Sequence, residues 1–431
     1  MANVFGLAQV ATDKIFLEFI MPGLNVEIRA NTILYDRFKT DTEHVVGKYA
    51  LFKRVTGSPK SARPSSSSTF PTAKQGAYDE YLVYLKRGMY AQLQFDGLTL
   101  ACSQGKGAIA DVLRTEVDGI KMHISNKLNR QYHGDGSGRL ARCYGAGSNS
   151  TDLTIDHEFF GLDSNGRSNP AQYLDEGMSV DIYDSSGNLE AEDVDISAIV
   201  NNGDGTAAVT LLTAQTWSDN GYLFDHDTYA ASQAAGTGVP MGLHGIISAS
   251  NPYVGITPTY FQNIDRAASG KSWSKATIVA MGSSATAPTD DKLLELVQEC
   301  EKWGRTKVLL TNAYIWRALF SIWKTDRTMP NEKAAWAGVT GLKFYGGRSG
   351  EIPVIYDDDC PDQRILALDE AYLKNEAPSK NGMAWLPGDS GILQRIQGKD
   401  ESVASLVFYY NFVAEKTRAQ GALTYVKHAA S

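Results

Sequence analysis

The sequence predicts an α+β fold with an extended β-hairpin arm, a long spine helix, a central α/β domain and an inserted small all-β domain. Three observations predict it. Two strand-like runs, Tyr49 to Thr56 and Ala77 to Leu85, flank a polar, proline-punctured tip, GSPKSARPSSSSTFPTAKQG. A helical period then runs from about Gln104 to Tyr132. Between about 150 and 235 the texture changes to short strands and tight turns, with α plus β patterning on either side.

Composition bounds the reading. A chain of 431 residues can bury one large core or two to three modest ones. A hydrophobic fraction of 43% is that of a globular chain, and 40 glycines imply many turns. The formal charge of -8 gives no general electrostatic case for binding nucleic acid and fits a soluble cytosolic protein. Cys102, Cys143, Cys300 and Cys360 lie far apart, without metal-ligand spacing, and read as reduced thiols. No basic segment precedes an apolar run, and no run reaches 18 apolar residues, so neither a secretion signal nor a membrane span is expected.

The elements follow in order. In residues 1–35, IFLEFI suits a short helix or strand and VEIRANTILYDRF an extended or helical lead-in; the segment is expected to lie along a larger surface, such as a neighbouring subunit's. In the arm, β-branched and aromatic residues recur in YALFKRV and AYDEYLVYLKR, as a pleated pair needs. Pro59, Pro64, Pro71 and Ser65–Ser68 cannot build a core between them. Lys53, Arg54, Lys60, Arg63 and Lys74 make the arm basic in an acidic protein, which suits an acidic neighbour. Arg54, Lys60, Arg63, Lys74 and Arg87 are the candidate subunit-contact residues.

In the helix, Ile109, Leu113, Val117, Ile120, Ile124 and Leu128 fall at steps of three and four and form one apolar stripe. Ser103 suits the N-cap, and GDGSG at 134–138 stops the helix. Such a helix, roughly 40 Å long at 1.5 Å per residue, suits a spine with a sheet laid against it. Beyond it, SSGN and NGDG signal hairpins in MSVDIYDSSGNL and EDVDISAIVNNGDG. The acidic residues Asp175, Glu176, Asp181, Asp184, Glu190, Glu192, Asp193 and Asp195 lack the calcium-loop pattern and read as a solvated face. From about 270 to 390 strand and helix alternate. TDDKLLELVQECEKWG is an amphipathic helix capped by Thr289 or Asp290, KVLLTN a buried strand, NAYIWRALFSIWKTD a helix opening at Asn312, and EIPVIYDD and RILALD two further strands. ASLVFYYNFVAE is too apolar to be exposed and is expected to return to the sheet beside the spine.

No catalytic constellation emerges. Paired histidine spacing and a nucleophile elbow are missing, and ASGKS at 268–272 lacks the upstream glycine of a phosphate loop. His226 between Asp225 and Asp227 reads as a polar turn. YDDDCPD at 356–362 could hold magnesium in an α/β enzyme, but strand alternation sends Asp357 and Asp359 one way and Asp358 the other. GTGVPMG at 236–242 supplies flexible turns near a domain junction.

The order of these parts resembles the major capsid protein of tailed bacteriophages, the HK97-like fold. GTGVPMG leading into LHGII, NAYIWRAL, and IPVIYDDDCP near ILALDEAYL are similar to such coat proteins in local wording. The resemblance implies an N-terminal arm at 1–49, an extended loop at 50–86, a peripheral domain at 87–149, an inserted β-rich domain at 150–235, an axial domain at 236–395, and C-terminal strands at 396–431 returning to the peripheral domain. It implies no enzyme activity and no cofactor. It implies hexamers and pentamers in an icosahedral shell around double-stranded DNA bound without sequence specificity, in a virion assembled in the bacterial host cytoplasm, with a portal protein, a possible cement protein and no membrane. Because the arm is reached within 50 residues of Met1, a separate scaffolding protein is expected. Some relatives crosslink an extended-loop lysine; Lys60 and Lys74 match by position only, and noncovalent assembly is expected. A tail or other virion component is the alternative within structural proteins.

Overall fold

Alternation in the tail of the sequence becomes the organising strand of the molecule. A computed structural model describes residues 33–57, 76–96, 106–157, 170–229, 237–251, 253–254, 257–258, 262–323, 342–379, 383–386 and 393–427. The strand Glu401–Ala414 runs 14 residues and pairs antiparallel with Lys86–Asp96, from Glu401 opposite Asp96 to Tyr410 opposite Lys86. Leu373–Glu376, Met383–Trp385 and Leu393–Arg395 also pair with it, and Lys39–Asp41 adds parallel to Leu373–Glu376. This is a six-stranded peripheral sheet.

The spine helix Lys106–His133 covers that sheet. Ile124, Leu128 and Tyr132 bury against Met89, Leu93, Phe408, Tyr410 and Phe412, with Ile120 partly covered. Tyr132 meets Phe412 edge-on, ring centroids 4.1 Å apart, and stacks near Tyr410. The expected stripe therefore faces the sheet from Ile120 onward; Ser103 and the side chains of Ile109, Leu113 and Val117 lie outside the described residues. The short helix Ile33–Arg37 also contributes, placing Leu34 in the same core.

The arm strands are Tyr49–Gly57 and Ala77–Tyr84, with Val45–Val46 as a third. Ala50, Phe52, Tyr81 and Val83 share one face, as a two-residue period requires, and bury it against Ile264 and Val413. The tip at 58–75, and with it Lys60, Arg63 and Lys74, lies outside the described residues, as do residues 1–32.

The inserted module is a closed six-stranded barrel: Ala207–Trp217, Gly147–Asp156, Arg139–Cys143, Tyr222–Asp225, Ser179–Tyr183 and Leu189–Asn201, with the last pairing back to the first. It starts at Arg139, not at 150, because closure must recruit strands until no edge is left. The range read from sequence as peripheral, 87–149, therefore took in Arg139–Cys143 and the first residues of Gly147–Asp156.

The axial sheet has the order Thr277–Ala280, Gly421–Thr424, Arg364–Leu368, Val308–Thr311, Glu351–Tyr356, Lys343–Tyr345. Helices Asp290–Glu301 and Ala313–Trp323 cover one face through Leu293, Leu296, Ile315 and Leu319, while Leu310, Leu366 and Ala422 on the other face join the spine-helix core. Thr289 sits at the first helix's N-cap but makes no side-chain cap bond. Asn312 caps the second, accepting from the Ile315 N–H at 2.8 Å. The expected return of 396–431 to the peripheral domain needs correction: Glu401–Ala414 returns there, but Gly421–Thr424 inserts between two axial strands. Conversely, Leu373–Glu376, Met383–Trp385 and Leu393–Arg395, placed by sequence in the axial domain, belong to the peripheral sheet. Alternation tells which face a strand buries; it does not name the neighbouring strand.

Candidate functional site at the arm root and the helix end

Two places set how the arm and the spine are held. The first is the arm root. Phe52 and Tyr81, opposite each other across the arm strands, stack with centroids 5.3 Å apart, and Tyr81 leans on Trp273 at 6.0 Å. Arg54 lies 4.7 Å over the Trp273 ring and donates to the Glu415 carbonyl. Burial lowers the Arg54 guanidinium from its ordinary range, and Arg418 adds to this. Asp79 accepts from the Trp273 indole at 3.2 Å and from Lys271 at 2.7 Å. Lys53, exposed, pairs with Glu80 across the strands at 3.0 Å. Of the candidate contact residues, Arg54 is thus engaged within its own chain, while Arg87 is exposed on the strand that follows the arm.

Arg87 also lines a groove of about 860 Å³ between that strand, the spine helix and the barrel, shared with His123, Lys127, Arg130 and Tyr229. Lys127 and Asp225 form an ion pair joining helix to barrel.

The second place is the C-terminal end of the spine helix. Asn129 donates to Asp357 at 2.8 Å and to Asp359 at 2.6 Å, so these two carboxylates do share a side. His133 Nε2 stands 3.1 Å from Asp357 Oδ2, with both side chains almost wholly buried. Burial alone would lower the His133 imidazole; the Asp357 charge and hydrogen bond outweigh it and raise it. Burial pushes the Asp357 carboxyl up, and His133 with Asn129 more than reverses this. The cation also sits where the helix dipole favours it. Asp359, half-buried beside Asp357, is raised by desolvation and by the Asp357 charge. Gln172, on the barrel, donates to Asp359 and to the Asp358 carbonyl at 3.0 Å each, and Asn312 donates to Asp362 at 2.6 Å. The acidic turn therefore ties spine, barrel and axial sheet together, with Asp357, Asp359 and Asp362 each accepting from a protein donor. Among the described residues no group of three or more His, Cys, Asp and Glu is arranged to hold a metal.

The glycines here are spatial requirements. A Cβ on Gly88 would lie 2.1 Å from the Tyr410 ring, whose hydroxyl donates to Gln131 at 2.5 Å. A Cβ on Gly242, in GTGVPMG, would lie 2.3 Å from the Gln131 carbonyl of the helix end. Buried Lys86 donates to the Thr237 carbonyl of the same segment at 2.7 Å, and burial lowers its ammonium to about 8.

In the barrel, His226 Nδ1 lies 2.9 Å from Asp181 Oδ1, and Asp181 also accepts from the backbone N–H groups of Asp193 and Asp227. Asp181 is buried, which corrects its reading as part of a solvated face: a carboxylate that accepts backbone donors can be covered. Cys143, Cys300 and Cys360 are buried free thiols. Sequence reasoning named Asp357 and Asp359 but missed their partners Asn129 and His133. The available signal was the polar pair Asn129 and His133, spaced four apart at the end of an apolar stripe.

No protein-family model matches this chain, and no curated protein matches its sequence. Solved structures do. A chain of the cyanophage A-1(L) capsid asymmetric unit is similar at a TM-score of 0.49 and 10% identity, over 92% of this chain and 93% of that one. A chain of the capsid of the native GTA particle matches at 0.44 and 10%, over 92% and 91%. A chain of the capsid of Myoviridae phage XM1 matches at 0.41 and 9%, over 91% of each.

Proposed function

We propose that this chain is the major subunit of an icosahedral phage head, forming hexamers and pentamers that enclose double-stranded DNA. The arm carries the reading. Its root is fastened by Phe52, Tyr81 and Arg54, while the sequence beyond Gly57 is a polar tip with nothing to bury in its own chain. A fastened root and a polar tip suit an arm laid over a second copy, a repeating heterologous contact that closes into rings and shells. Lys60, Arg63 and Lys74 on the tip and exposed Arg87 near the root would meet acidic surface on that copy. The boundaries read from sequence, corrected for the barrel start and the terminal strand, assign the arm at 50–86 to this contact, the peripheral sheet to the shell wall and the axial sheet to the capsomer hub. A separate scaffolding protein, a portal and a possible cement protein would complete the particle, formed in the host cytoplasm. The net charge of -8 suits a wall that releases packaged DNA from nonspecific contact.

Deleting residues 57–76 tests this. The variant is expected to keep the monomer's unfolding transition and to lose closed particles in negative-stain microscopy. Intact shells from the variant would overturn the role of the arm, and tubes or rings from the unaltered chain would favour a tail component. Arg87→Glu is expected to lower particle yield at low salt, with the loss read by light scattering.

A further inference from the structure

Glu376 is fully buried, and among the described residues neither of its carboxyl oxygens has a hydrogen-bond partner. Its place in the strand register says what it faces. Glu376 lies opposite Asn411, and Lys374 opposite Val413; residues directly opposite in an antiparallel pair share a face. Val413 on that face packs against Phe52, Tyr81 and Val83, and Asn411 donates to the Tyr84 carbonyl. Glu376 is therefore shut between the peripheral sheet and the sheet of the arm.

Its charged surroundings come from every neighbouring element. Lys374, two residues before it on its own strand, reaches Asp41 at 2.9 Å and Glu415 at 2.8 Å. Asp41 stands beside Glu376 in the parallel register, and His44 adds a nearby imidazole that acts on Asp41. From the arm come Tyr81, which feels both Glu376 and Glu415, Arg54, whose guanidinium is spent on the Glu415 carbonyl and the Trp273 ring, and Asp79, opposite Arg54 and paired with Lys271. Lys416 is turned to the Tyr372 hydroxyl. Lys39, opposite Lys374 in the parallel register, is exposed, and Lys374 already serves two carboxylates, so a third negative charge would be buried and repelled.

We infer that Glu376 is a proton-operated latch, which seats the arm sheet on the body when protonated and loosens it when ionised. Burial raises this carboxyl from 4.5 to about 8, Asp41 and Glu415 acting with it and Lys374 against it. A folded-state value above the unfolded one means that the stabilisation is complete below 4.5 and is lost as pH rises through about 8. The inference concerns the single chain and stands whether or not that chain builds shells.

Hydrogen exchange of the arm amides, read on the full unassembled chain and corrected for intrinsic exchange, tests it. The opening constant of residues 49–57 and 77–84 is expected to rise about tenfold per pH unit between about pH 5 and pH 7.5. In Glu376→Gln, which keeps the shape and removes the charge, the slope is expected to vanish. A flat profile in the unaltered chain, or the same slope in Glu376→Gln, overturns the latch. Infrared spectra with labelled glutamate supply a second measurement that needs no variant. A buried protonated-carboxyl band at about pH 7, lost by about pH 9, is expected, and its absence at about pH 7 overturns the proposal.

Discussion

Gly88 leaves no room for a methyl group, because the Tyr410 ring occupies that space and is held there by Gln131. Gly88→Ala is expected to cost about 1–3 kcal/mol through overpacking, read as a lower urea midpoint with an unchanged slope. His133 and Asp357 illustrate a different dependence. Removing one partner leaves the other buried and uncompensated, so His133→Ala is expected to cost about 3–5 kcal/mol. The sign with pH follows from both groups. His133 is raised, so its stabilisation is full below the ordinary 6.5 and fades as pH rises; Asp357 is lowered, so its stabilisation is full above 3.8 and fades as pH falls. For this pair alone unfolding is hardest between these values, Glu376 adds its own decline above 4.5, and in His133→Ala the alkaline decline should become shallower. An identical alkaline decline in both chains would remove His133 from the account.

At the scale of elements, the arm and the spine differ in how they are held. The arm sheet rests on a small cluster centred on Phe52 and Tyr81, whereas the spine helix shares a core that reaches into both large sheets. Phe52→Ala, costing about 3–5 kcal/mol at that cluster, is expected to raise exchange in the arm strands while spine amides keep their protection. Loss of protection spread evenly over the chain would contradict this separation. The arm was legible in sequence because alternation in YALFKRV and AYDEYLVYLKR puts Ala50, Phe52, Tyr81 and Val83 on one face. The helix was legible for the same kind of reason, with Ile124 and Leu128 at helical spacing. The clamp at its end was not: Asn129 and Asp357 are 228 positions apart, and no local period links them.

At the scale of the molecule, the barrel is a self-contained unit. Its first strand and its last described strand, Arg139–Cys143 and Tyr222–Asp225, pair with each other, so chain entry and exit lie side by side. It also owns a separate core, with Leu153, Val180, Ile196, Val209 and Leu223 among its members. A fragment of residues 139–229 is expected to fold alone as a cooperative β protein, and the parent with a short linker in its place to keep its spine and axial sheets. A fragment without an unfolding transition, by circular dichroism in urea, would contradict this. Lys127 with Asp225 and Gln172 with the acidic turn fasten the barrel to the body, so excision should lower the body's stability without unfolding it.

The sequence by itself determined the kinds and order of the elements, since hydrophobic period, turn residues and capping side chains are local properties of the chain. It also set the contrast between two alternating arm strands and a polar tip. Only the tertiary structure decided where the elements belong. It moved Arg139–Cys143 into the barrel, Gly421–Thr424 into the axial sheet, and Leu373–Glu376 beside the long return strand. It also buried Glu376 under the arm and paired His133 with Asp357. Strand partners and buried charge pairs are chosen by long-range closure and exclusion of water, and neither leaves a period in the sequence.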